Sequence, residues 1–404
     1  MKYITQNKIF QDSLIVLIIF VCLKLMDFNQ TMTSFWIGPY LSAAVNFNWS
    51  DFALYVNWDE IKQFANLSAS RLFEYNFTKR NDLLLYDYLS KGLVFIVIFS
   101  KKVFFWQGDL ESLQSLQYIV HICISLFILS LLEKKYQQVL FFIFYAINPI
   151  ILYFVNYPFY YFWQVIPSVI FIYWYFNQDR TKNLIFIITF IFVFVYIIRP
   201  TVLFLIILFY ILYAFKDSYK KSAIGLGLFL VLINISPSLS IGPWHTMYVG
   251  IGAYENKYNI TLSDTEGYKY YKEQTGKTVN SDNIMNTKIK TDYYKVLKKK
   301  YFEILDESPM MIIKHLVLNV AQSYSIGYKV GNLKMIYFSA FIGVIMMLLL
   351  LYTKQYILFL AIGFAGGGFT PYYPPIAAYM YGSYILIVIG FIGIVDYFIL
   401  KRYN

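Results

Sequence analysis

Charge is scarce in this chain of 404 residues. Asp, Glu, Lys and Arg together make up 14% of it, against about 25% in soluble domains, so an ordinary water-facing globular surface is excluded. Cysteine is almost missing. Cys22 and Cys123 both lie in apolar segments, so no structural disulfide is expected and a cysteine-based metal site is ruled out. The histidines number three, and no second metal ligand stands near His245 in the sequence. No small-residue cleavage site follows the first apolar run, so Met1 to Gln11 reads as a basic lead-in to a retained helix. Internal repeats, low-complexity segments and long flexible linkers are also lacking.

Apolar residues fill the space. They make up 59% of the chain, and the mean hydropathy is +0.53. This composition predicts an all-α polytopic membrane protein, because open strands cannot satisfy their backbone in lipid. About ten transmembrane helices are expected, over 12–32, 113–132, 136–155, 158–176, 183–199, 200–215, 222–242, 335–353, 355–371 and 375–400. The net charge of +11 implies no nucleic acid, since basic cytoplasmic loops are the rule for such proteins. Lys2 and Lys8, Lys134 and Lys135, Arg180 and Lys182, Lys216 to Lys221, Lys354, and Lys401 with Arg402 alternate onto one side. The opposite short turns, Asn156-Tyr157 and Thr370 to Pro375, are uncharged. Both termini are therefore placed in the cytoplasm of an inner-membrane, multi-pass protein. Two large outward-facing segments follow, 33–112 and 243–334. Leu83 to Phe105 and Met310 to Tyr324 read as interfacial helices, Lys288 to Leu305 as a water-facing helix, and Pro309 as a helix boundary. This divides the chain into a transmembrane module over 1–242, an outer-face region over 243–334 and C-terminal transmembrane helices over 335–404.

Chemistry-bearing residues gather at the outer ends of these helices. Asn57-Trp58-Asp59-Glu60 follows the first span, with Asp51 before it and Asp87 beyond. A loop carboxylate against an apolar surface can serve as a base, though solvated loop charges look the same in sequence. Arg199-Pro200 places a guanidinium at the fifth span's outer end, where its fork suits a phosphate or it snorkels to the interface. Pro243 to Gly252 carries Trp244, His245 and Tyr248, read either as a ligand-facing loop or as an aromatic-belt anchor and turn. Tyr157, Tyr160, Tyr161, Tyr372 and Tyr373 cluster at proline breaks, where rings stack on a sugar or a polyprenyl chain or line the interface. Gly366-Gly367-Gly368 allows close helix packing. His121, the main ionisable group inside a span, reads as a packed residue.

Taken together, these elements resemble the GT-C superfamily of integral-membrane glycosyltransferases, in its bacterial protein-O-mannosyltransferase-like branch. The likeness rests on Asp59-Glu60 with Ile61 to Ala65, the Tyr86 to Phe99 run, Asn148-Pro149, Arg199-Pro200, and Trp244-His245 to Gly252 with Asp264. It covers roughly residues 1–252 and departs at Asn81 to Tyr86, which lacks the family's His-Pro-Pro-like approach to the interfacial helix. The resemblance implies a polyprenyl-phosphate sugar donor, used on the outer, periplasmic face, and inverting transfer to a glycan, lipid or protein acceptor. Asp59 would be the base, with Glu60 its neighbour or the contact of a divalent metal; Arg199 and His245 would hold the donor phosphate. Asp51, Asp87, Trp244, Tyr248, Tyr160 and Tyr161 would touch substrate. A polysaccharide polymerase or ligase is the nearest alternative, because it would place its key Arg and His in later outer loops. A lipid-linked-sugar flippase would require paired charges near the midplane, and the span interiors are almost free of them.

Overall fold

The computed structural model describes residues 2–26, 34–50, 53–80, 83–85, 91–177, 184–235, 243–279, 287–326 and 333–403. The chain is predominantly helical, as apolar surroundings demand of a backbone that must pair with itself. A single two-residue antiparallel ladder departs from the all-α expectation: Tyr55 pairs with Leu85 and Val56 with Leu84.

Ten separate spans are not what the described residues form. Three helices are long and apolar enough to cross a membrane: Asp109–Leu131, Lys334–Tyr352 and Ala377–Lys401. A fourth arises if Lys135–Ala146 and Pro149–Asn156, bent by 50° at their junction, count as one. The reason lies in the breaks. Ile185–Ile198 stops at Arg199, whose extended backbone (φ −150°, ψ 103°) precedes Pro200, and Leu203–Lys216 then starts afresh. Fourteen residues rise only about 21 Å, short of a hydrocarbon core of about 30 Å. Val165–Phe176 and Tyr356–Gly366 are shorter still, and Tyr219–Ile235 reaches 17 residues. The first helix runs Lys2–Leu25, earlier than expected, and carries Lys8, Asp12 and Lys24. The junction at Asn148 is built by sequence: a π-helical turn over Phe142–Ala146 loosens the helix. Asn148 then caps the next one by accepting from the Ile150 amide at 2.9 Å.

Within the expected helix over 83–105, the described helix is Lys91–Val103, and Leu84–Leu85 belong to the ladder. One face of this helix is packed into the protein. Leu93, Val94, Ile96 and Val97 are buried, and the helix packs on Ser34–Val45, Asp109–Leu131 and Ile185–Ile198. The expected water-facing helix runs Thr287–Glu307, and Pro309 opens the next, Pro309–Gln322, where a missing amide costs nothing. One hydrophobic cluster extends from Ile19 to Ile394. A second, smaller one joins Tyr248, Tyr271, Tyr293, Leu297 and Ile304, so helices Trp244–Gly250, Asp264–Thr275 and Thr287–Glu307 have a core of their own.

Gly368 shows how tightly the breaks are packed. A Cβ there would lie 2.1 Å from the Thr201 carbonyl oxygen, whereas a Cβ on Gly227 would meet nothing. Gly368→Ala is expected to destabilise the protein by about 1–3 kcal/mol through overpacking. Gly227→Ala, inside a helix, should be neutral or stabilising by up to about 1 kcal/mol. Thermal unfolding of the two variants in detergent checks this; equal losses would disprove the packing argument.

Candidate functional site

The acidic pair stands in the first turn of helix Trp58–Ala65, where the helix dipole favours negative charge. Asn57 caps it by accepting from the Glu60 amide at 2.9 Å. Adjacent residues on a helix point about 100° apart, so the two carboxylates meet different surroundings. Glu60 is 2% exposed. Its Oε1 accepts from the Thr78 amide at 2.8 Å, the Thr78 hydroxyl at 3.0 Å and the Tyr75 hydroxyl at 3.3 Å. Its Oε2 is buried without a partner. Burial and the Glu60 charge raise the Tyr75 hydroxyl above its ordinary pKa, which keeps it a proton donor to Glu60. Asp59, by contrast, is exposed.

Both carboxylates line a cleft of about 510 Å³ with Trp58, Gln63 and Arg80. Arg80 is held by its amide on Asn46 Oδ1 at 3.0 Å and its Nε on Thr78 Oγ1 at 3.2 Å. Sequence reasoning missed it, although Thr78-Lys79-Arg80 was a cationic signal beside the acidic loop. Asp51 and Asp87 lie outside the described residues.

Arg199 is not among the residues lining this cleft. Its guanidinium sits over three tyrosine rings: Tyr160 at 4.5 Å, Tyr379 at 5.0 Å and Tyr161 at 5.6 Å. Tyr160 and Tyr161 therefore give ring faces to the cation. Its Nε is buried without a hydrogen-bond partner. Tyr379, the third wall, follows the Pro374-Pro375 break, and proline-associated tyrosines were the signal that could have found it.

The 243–252 segment forms a third locus. His245 Nε2 meets Asp264 Oδ1 at 3.0 Å, and Nδ1 meets the Tyr293 hydroxyl at 2.5 Å. Gly267 leaves the room this needs, since a Cβ there would lie 2.3 Å from that hydroxyl. Trp244 packs on Phe302 and under Lys298. Tyr248 is buried against Tyr270, so it belongs to the second core and not to an open surface. Tyr373, which packs on that core, stands 5.3 Å edge-on from Tyr379, connecting this locus with the Arg199 cage. Among the described residues, no group of three or more His, Cys, Asp or Glu side chains is placed to hold a metal ion.

The His245 hydrogen bond, followed by its charge, holds the Asp264 carboxyl below its ordinary pKa. The sign follows from linkage: the contribution is complete above the unfolded carboxyl's pKa and is lost as pH falls through the lowered folded value. Asp264→Asn should therefore speed hydrogen exchange in helix Asp264–Thr275 at neutral pH, with the difference from wild type shrinking as pH drops below the carboxylate range. A pH-independent difference would count against the pairing. Comparison of the chain with protein-family models, with curated proteins and with solved structures finds no match.

Proposed function

We propose that the chain is a membrane glycosyltransferase that moves a sugar from a polyprenyl-phosphate-linked donor to an acceptor hydroxyl at the outer face of the inner membrane, with inversion. The observation that carries this reading is the division of labour between adjacent carboxylates. Glu60 is buried and anchored by three donors, while Asp59 opens into a cleft large enough for a small ligand. A general base needs a carboxylate able to reach an incoming hydroxyl, and Asp59 meets that need. In the step itself, Asp59 takes the acceptor hydroxyl's proton, the oxygen attacks the anomeric carbon from the face opposite the leaving group, and the polyprenyl phosphate departs with the bonding pair. Arg80 puts a positive charge in the same cleft, opposed to the developing negative charge. The unpartnered Nε of Arg199 supports a role in holding the donor phosphate at the aromatic cage.

Asp59→Asn is expected to lower transfer by about 10²–10⁴-fold, the usual range for a lost general base, with unchanged melting temperature and donor binding. Glu60→Gln should instead lower stability by about 1.5–3 kcal/mol, the scale of hydrogen bonds to a charged group. Turnover and unfolding measured on both variants separate the roles. Near-full transfer by Asp59→Asn would refute the base assignment.

Donor binding gives an independent check. Arg199→Ala should weaken the affinity for a polyprenyl-phosphate sugar by about 1.5–3 kcal/mol, and Arg199→Lys should restore only part, because the planar fork and its stacking are lost. An unchanged dissociation constant in a folded Arg199→Ala protein would remove Arg199 from the site. A polysaccharide polymerase or ligase is the second reading, favoured by the ordered His245–Asp264 pair in the later segment. It predicts that His245→Ala abolishes transfer while Asp59→Asn does not.

A further inference from the structure

A second groove, of about 530 Å³, lies between the C-terminal end of helix Ser34–Val45 and helix Lys91–Val103. Ala44, Val45, Val97 and Ile98 make its apolar wall, and Phe105 closes one end. Two lysines stand over this wall, and their situations differ. Lys101 is occupied: it pairs with Asp109 at 3.3 Å and donates to Asn76 Oδ1 and the Gln107 carbonyl. Asp109 in turn is 2% exposed and accepts from the Phe77 amide. Lys102 is exposed, and among the described residues it makes no hydrogen bond or ion pair. With Asp109 paired to Lys101, the groove keeps one positive charge that no described residue compensates, at the edge of an apolar surface. Around it Phe99, Phe105 and Trp106 are 57%, 73% and 67% exposed, an aromatic group of the kind found at headgroup depth.

Apolar length on one side and, at the other, a cation without a partner among the described residues match an amphiphile with a negative head. We propose that this groove binds an anionic membrane phospholipid, one acyl chain along Val45, Val97 and Ile98 and its phosphate on Lys102. A soluble anion would leave the apolar wall wet, and a neutral lipid would leave Lys102 unused. The groove shares no lining residue with the Asp59 cleft, so its lipid is separate from the proposed substrate, and the proposal stands or falls without any transfer reaction.

The test is native mass spectrometry of the full chain released from nanodiscs of equal phosphatidylglycerol and phosphatidylcholine. Phosphatidylglycerol should be retained selectively. Lys102→Gln should reduce that retention about five-fold, the effect of one lysine near a membrane surface, and Lys102→Glu should reduce it further. Ala44→Phe, which fills the groove, should reduce it without touching charge; Lys102→Gln, at an exposed position, keeps the test valid if Ala44→Phe fails to fold. Equal retention of both lipids would overturn the proposal, as would phosphatidylglycerol retention unchanged in Lys102→Gln and Lys102→Glu. Displacement of phosphatidylglycerol by added undecaprenyl phosphate would also overturn it, because the groove would then belong to the donor.

Discussion

The strip Tyr75 to Arg80 lies in neither a helix nor a strand, and Phe77 within it is buried. Side chains meet three of its amides, and an unpaired buried donor would cost about as much as a lost hydrogen bond. Three buried acceptors meet them. Asp109 takes the Phe77 amide, Glu60 the Thr78 amide and Asn46 the Arg80 amide. Glu60 and Asp109 come from helices Trp58–Ala65 and Asp109–Leu131, and Asn46 directly follows Ser34–Val45, so the strip ties these three elements to one another. The Tyr75 carbonyl completes the tie by accepting from the Asp109 amide at 3.0 Å. Arg80, at the end of this strip, lines the Asp59 cleft.

That constraint decides what the acidic pair can do. Glu60 must stay in place for the strip to stay in place, and moving its carboxylate would leave the Thr78 amide and hydroxyl without their acceptor. A reacting group has the opposite requirement, because its hydrogen bonds must change during the step. Asp59, one residue earlier and about 100° around the helix, carries no such duty. The adjacency that looks like redundancy in the sequence leaves one carboxylate anchored and the other exposed in the cleft.

Much of this was legible beforehand and some was not, for physical reasons. Asn148-Pro149 and Arg199-Pro200 announced breaks, because proline removes an amide and restricts the residue before it, and both are where helices end. The number of spans was not legible. Hydropathy adds up apolar residues on either side of such a break, whereas a helix must stay continuous to cross. The helix over Lys91–Val103 was legible only in part: its lysines, which stand at its two ends, suggested a surface position, and they did not reveal that one face of its middle is buried. Glu60's anchoring role was hidden because its partners lie 15 and 18 residues away, and Phe77 reaches Asp109 across 32. Trp244 and Tyr248 looked like an interfacial pair, and only the second core explains where they point.

Arg199 poses the remaining physical question, and the answer connects two loci. A guanidinium in largely apolar surroundings needs its charge balanced. Here three tyrosine faces supply quadrupoles in place of a carboxylate. Ring faces stabilise the cation without neutralising it, and although Tyr379 also hydrogen-bonds the guanidinium, its Nε is left without a partner. A carboxylate in the same place would consume the fork and cancel the charge. The cage thus keeps the arginine both tolerable in its surroundings and electrostatically available to an anion. Tyr379 belongs to this cage and also touches Tyr373, which packs on the core that holds His245. Tyr379 and Tyr373 thus bring the arginine's cage and the second core into ring contact.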